Sequence, residues 1–356
     1  MNRIIRRSLS IIVTTILAVT LGACATSGVA SGSREITKQE SYAQEFAGSN
    51  GDGSLTIINY TDYSTDMIME WGMSASGLMA DQDANVLTFV YPVGRFTGEM
   101  VGYLGGAEFG MHDVVMTPEN QGALLADIEL WLRADDCVDE RFFDPTSEDG
   151  QGDEFAMWRD WVEQGADAST MRLLCSTTRV VAMGITPQLV REGELELERF
   201  LTHELYHAFQ QDLDMGGSCS ALSEERATAN TPWMAEGGAH YFSSFLTGVV
   251  KEDGLPNEGE VGENERIRME ILRDASRAYE ETPGLHESGP DKKGAAALLL
   301  MVDKGLITHE EIMDGSFFHD CARELRYPSG GPEIQEIRNT WYQIVGTNGG
   351  YEFSDR

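Results

Sequence analysis

The chain has 356 residues, with 59 acidic against 26 basic side chains and a formal net charge of −33. A surface this acidic repels nucleic acid and anionic lipid headgroups, which excludes both as electrostatic partners. Less a leader and spacer at its start, roughly 300 residues remain, enough for one large domain or two small ones, and there is no internal repeat.

In chain order, Arg3, Arg6 and Arg7 form a basic n-region and Ile11 to Ala18 open an apolar stretch too short to span a bilayer. Leu21-Gly22-Ala23-Cys24 resembles the lipobox of bacterial lipoproteins. That resemblance implies a signal peptide over 1–23 and a lipid on Cys24, hence a membrane-anchored protein of the cell envelope. An ordinary secretory signal with small residues at its cleavage site is the alternative. Ala25 stands where an aspartate would favour inner-membrane retention, so in a Gram-negative host the outer membrane is the expected location. Losing the three arginines leaves 59 acidic against 23 basic residues, a net charge of −36. Residues 24–53, rich in Ser, Gly and Ala, read as a flexible tether. No later apolar run is long enough to cross a membrane.

Residues 54–190 carry mixed α/β signals and 191–356 mainly helical ones, an α+β class. Leu55 to Tyr60 and Val86 to Tyr91 are short β-prone runs in a stretch, up to about Met116, that is strand-like and broken by glycine. Thr117-Pro118 starts a helix whose apolar positions run from Leu124 to Leu132. Acidic, glycine-rich sequence from Asp144 to Glu154 interrupts it, and the run Ser147 to Gly150, like Lys251 to Asn264, reads as a solvated loop. Met171 to Ile185 is again β-prone. A helix follows from about Glu192 to Asp214, ended by Gly216-Gly217, with a broad apolar stripe. Further helices are predicted from Pro232 behind a Thr231 cap, over Glu265 to Tyr279, and over Ala295 to Val302, stopping at Gly305. The capping box Thr308 to Glu311 opens a last one. Of five cysteines, Cys24 is assigned to lipid. Cys137, Cys175, Cys219 and Cys321 are even in number and lack Cys-x-x-Cys, which in an exported protein predicts up to two disulfides. Three pairings stay open, and free buried thiols are the alternative.

The helix 192–214 carries His203-Glu204-Leu205-Tyr206-His207. Residues four apart share a helix face, so His203 and His207 can hold one metal ion, and Glu204 beside them can act as general base on a water at that ion. A surface helix can also carry these residues without a metal. A catalytic zinc needs three protein ligands and an open position. Leu213 and Gln210 stand where the metzincin pattern needs histidine and glycine, which excludes that class. Glu236, 29 residues after His207 on the following helix, is the candidate third ligand, with Asp214, Glu224 and Glu225 as rivals in or beside the polar link.

His-Glu-x-x-His followed by Trp233-Met234-Ala235-Glu236-Gly237-Gly238-Ala239-His240-Tyr241 resembles the gluzincins, especially the peptidase-MA-like relatives of the M1 aminopeptidases, over roughly residues 194–305. The resemblance implies a zincin-like catalytic domain that binds one zinc ion through His203, His207 and Glu236, with Glu204 as catalytic acid/base. It also suggests that the β-prone run 171–185 is an edge strand beside the site. Two family features are altered. The Gly-x-Met-Glu-Asn segment that holds a substrate amino terminus has no counterpart between Ser169 and Pro187. Asp291-Lys292-Lys293-Gly294-Ala295 resembles the family's Tyr-x-Lys-Gly-Ala with aspartate in place of the oxyanion-binding tyrosine. Tyr279, His286 and Tyr327 are the candidates for that missing contact, Lys292 or Lys293 for an electrophile, and His240 for a group behind a ligand. His112, His309 and His319 read as structural or surface residues. The expected function is a lipid-anchored zinc metallopeptidase acting on extracytoplasmic peptides or proteins. The alternative is a zinc-containing surface binding or assembly lipoprotein with weak or lost activity.

Overall fold

Three strands of the centre are apolar on both faces, which demands helices above and below them. The computed structural model describes residues 38–46, 53–79, 82–102, 108–134, 154–166, 169–171, 178–215, 232–248, 255–256, 261–285, 289–318, 332–347 and 350–354. Strands β1 (Gln39–Glu45), β2 (Ser54–Asn59), β3 (Asn85–Gly102), β4 (Glu108–Val114), β5 (Ser169–Met171) and β6 (Thr178–Ile185) form one sheet in the order β1-β2-β3-β6-β5, with β4 on the outer half of β3. β2, β3 and β6 run parallel, and β1, β4 and β5 are each antiparallel to their neighbour.

Alternation along the strands sorts the side chains. Ile58, Leu87, Phe89, Val180 and Ala182 pack against α2 (Pro118–Ala134) and α3 (Glu154–Gln164), where Trp158 and Trp161 are fully buried. On the other face Leu55, Ile57, Val86, Val181 and Met183 meet α1 (Thr65–Ser76) and the helix that follows α4 (Pro187–Glu192), namely α5 (Glu194–Met215). Gly193, with φ 101°, breaks α4 from α5; its missing Cβ tolerates that left-handed backbone. A second core is helical. It joins α6 (Pro232–Thr247), α7 (Glu263–Glu281), α8 (Pro290–Asp303), the short α9 (His309–Met313) and α10 (Pro332–Thr340), beside a hairpin of β7 (Ile344–Thr347) and β8 (Gly350–Phe353).

The class is α+β, as the sequence indicates, and the Thr308 capping box is present with both of its bonds. Three local expectations are corrected. Gln39–Glu45, placed by composition in the tether, pair with β2 as an outer strand. The strand-like stretch before residue 116 contains α1, whose N-cap Ser64 accepts a hydrogen bond from the Met67 amide. β6 is flanked by β3 and, over 180–182, by the three-residue β5, so the sheet's edge strand on that side is β5.

One contact fixes the helical half. α6 and α8 touch backbone to backbone at Gly237 and Gly294, where a Cβ on Gly294 would overlap the Trp233 carbonyl and one on Gly237 would overlap Gly294 itself. Gly294→Ala is expected to lower stability by roughly 3 kcal/mol through forced separation of the helices. A urea titration that leaves the midpoint unchanged would contradict this contact.

Candidate metal centre

α5 and α6 are positioned before any polar group is considered. Leu197, Leu201, Leu205 and Phe209 put α5 on the sheet, and Ala239 and Phe242 of α6 join the same buried cluster. Tyr206 stacks on Phe242 with ring centroids 4.6 Å apart, pinning the two helices together beside the motif. The Tyr206 hydroxyl donates to the Ile312 carbonyl at 2.6 Å, tying α9 to the same place.

This packing turns three polar side chains toward one point. His203 Nε2 lies 3.2 Å from His207 Nε2, and each is 3.3 Å from Glu236 Oε2. Among the described residues they are the one group of His, Cys, Asp or Glu side chains gathered in this way. Hydrogen bonding alone does not satisfy the triangle. Protons on both imidazole nitrogens could reach the carboxylate but would oppose each other, so at most two of the three edges are served. A cation at the centre uses all three lone pairs. Metal–ligand bonds of about 2.0–2.1 Å at tetrahedral angles separate ligand atoms by about 3.3–3.4 Å, which matches the observed edges. His203, His207 and Glu236 therefore fit a single metal ion. Burial alone would raise the Glu236 carboxyl, but His207 and His203 outweigh it and hold the group well below the usual carboxylate range. Glu204, next in sequence to His203, is buried at 8% exposure.

Behind the triangle lies a buried charge network. Arg199, one turn before His203, donates to Glu270 at 3.1 Å. Arg273 donates to Glu270 at 3.4 Å and to Asp274 at 2.9 Å. Arg199, Glu270 and Arg273 are all buried, so α5 and α7 are joined by an ion pair, Arg199–Glu270, that is shielded from solvent and braced by Arg273 within α7. Sequence reasoning passed over this network, although the four-residue spacing of Arg199 and His203 puts both on one face. His240, one turn beyond Glu236, has its Nδ1 3.7 Å from Asp291 Oδ2. Burial pushes its imidazole down to about 4 against the upward pull of Asp291, with Arg199 and His203 adding to the downward shift.

The other sequence candidates are placed elsewhere. Tyr279 stacks on Tyr342 at 4.8 Å and edge-on to Trp341, which engages its ring in an aromatic cluster. Lys293 is fully buried, its Nζ donating at 2.8 Å to Thr282 Oγ1 and to the Gly284 carbonyl, so it closes the α7–α8 connection. His309 meets the Tyr241 hydroxyl at 2.9 Å, and His112 Nδ1 lies 3.1 Å from the Gly110 carbonyl, both structural contacts. Asp214 falls within α5. His286, His319, Tyr327, Glu224, Glu225 and all five cysteines, Cys24, Cys137, Cys175, Cys219 and Cys321, lie outside the described residues. Comparison of the chain with protein-family models, curated proteins and solved structures gives no match, so the chemistry of the site is read from its own residues.

Replacing His203 or His207 by Ala, or Glu236 by Gln, is expected to weaken metal binding by more than the ~10–100-fold typical of losing a group behind a ligand, as measured by competition with a chromophoric chelator. His240 carries a pH signature. An unfolded histidine takes up its proton near 6.5, whereas the folded one resists until about 4. Stability from this source is therefore lost as pH falls through that window, on the order of 3 kcal/mol, and is constant below it. Urea unfolding at pH 6.5 and 4 should show a smaller loss for His240→Gln than for wild type; equal losses would refute the assignment.

Proposed function

We propose that the protein is a zinc-dependent metallopeptidase of the cell envelope, held to the membrane by a lipid on Cys24. The carrying observation is the triangle of two imidazole nitrogens and one carboxylate oxygen with 3.2–3.3 Å edges, with a buried glutamate directly after its first histidine. Two nitrogens and one oxygen suit zinc, and three protein ligands leave a position open for catalysis. When bound there, the ion supplies Lewis acidity, polarising a carbonyl and acidifying a water.

The protein's own residues do the rest. Glu204 takes a proton from the attacking water as the new C–O bond forms, then delivers it to the amine nitrogen as the C–N bond breaks. The buried pair Arg199–Glu270 holds α5 against α7, with Arg273 bracing Glu270 from within α7, which limits how far His203 can swing. The lipobox-like Leu21 to Cys24 supports the envelope location. No helix among the described residues is long and apolar enough to cross a membrane. Substrates are then peptides or proteins outside the cytoplasm, and the acidic surface argues against nucleic acid.

One observation favours a second reading, a zinc-containing surface binding or assembly protein with little turnover. Asp291 stands beside His240 where the resembled family has its oxyanion-binding tyrosine, and Tyr279 and Lys293 are engaged elsewhere. Loss of one such donor costs about 3 kcal/mol of transition-state stabilisation.

Glu204→Gln decides the mechanism. It is expected to keep one zinc per chain, read by elemental analysis, and to lose casein hydrolysis. Cleavage at the wild-type rate would place the base elsewhere. Zinc-loaded wild-type protein that cleaves nothing in a broad peptide library would favour the second reading.

A further inference from the structure

Beside the metal centre stands a carboxylate that the chemistry above does not use. Asp291 lies in the first turn of α8, and the Gly237–Gly294 contact brings α8 against α6 at the residue after Glu236. Its Oδ2 is 3.7 Å from His240 Nδ1, and His240 is one turn along α6 from Glu236 and close enough to His203 to feel its charge. Asp291 thus faces, across His240, the helix that carries Glu236.

Two features set it apart from the acids around it. Its side chain is 30% exposed, whereas that of Glu270 is 3% exposed. The neighbouring acids are matched to arginine, Glu270 to Arg199 and Arg273, and Asp274 to Arg273. Among the described residues Asp291 has only His240, at a separation beyond the ordinary hydrogen-bond length of about 2.7–3.2 Å. A partly exposed negative charge with no arginine or lysine partner among the described residues, beside His240 and so one helix turn along from the candidate metal ligand Glu236, suits a positive group on an incoming ligand. The molecule's net charge of −33 draws such ligands toward it.

We propose that Asp291 is a recognition carboxylate for a cationic group of the substrate, an ammonium or a guanidinium, and that the protein selects positively charged peptides. The proposal rests on the peptidase reading for its substrate class, but binding tests it without turnover. The cation has two sources, a lysine or arginine side chain or a free amino terminus.

The test uses zinc-loaded Glu204→Gln protein and three peptides of otherwise identical sequence: acetylated and neutral, acetylated with one lysine, and neutral with a free amino terminus. Titration calorimetry at low salt should show one of the two cationic peptides binding about fivefold tighter than the neutral one, and which one identifies the source of the charge. Adding Asp291→Asn should bring that ratio close to one, and Asp291→Glu, which restores the charge, should keep part of it. Failure of the three peptides to differ, including failure of any to bind, would overturn the proposal. So would a preference that survives Asp291→Asn, leaving Asp291 as a helix-end acid alone. Failure of the peptidase reading shows separately, as wild-type protein that leaves all three peptides intact.

Discussion

Glycine against glycine is the constraint on which the centre depends. At Gly237 and Gly294 the backbones of α6 and α8 meet with no side chain between them. Glu236 precedes one of these glycines, so the position of the third donor is set by how closely two helices approach. The same contact carries Asp291 to His240. A larger residue at either place would push α8 outward and take with it the lysine that closes the α7–α8 connection.

The two histidines are positioned by different means. α5 is half sunk in the core between sheet and helices, and its free faces are occupied by Tyr206 stacking on Phe242 and by Arg199 pairing with Glu270. Buried ion pairs often contribute little net stability, because removing charges from water costs much of what their attraction returns. Here they define a register. An arginine one turn from His203 fixes the rotation of the helix about its own axis, which apolar packing alone leaves softer.

Much of this was legible in the sequence. His203 and His207 announce themselves because helix geometry ties spacing to face, and Glu236 follows from the need for a third donor on a neighbouring helix. The apolar strands and the capped helices at Pro118 and Thr308 carry local signals that tertiary context did not override. Other features were hidden for physical reasons. Gln39–Glu45 is polar because it is a sheet's outer strand, exposed over 42–45, so its composition resembles that of a linker. Lys293 stands as a candidate electrophile in the sequence because one sequence does not reveal that a Thr282 hydroxyl and a backbone carbonyl await it. The Arg199–Glu270–Arg273 network joins residues 71 positions apart, a separation that no local pattern encodes.

α6 serves two masters. Ala239 and Phe242 belong to the core under the sheet, while Trp233, Met234 and Tyr241 belong to the helical core. Glu236 rides on a helix shared by both, so loosening either core moves the carboxylate relative to the histidines. If the three donors hold a metal, its affinity acts as a gauge of packing in both cores. A substitution far out in α7 or α10 can silence the centre without touching it, and a screen for lost metal binding would return residues scattered through both cores as readily as the ligands themselves.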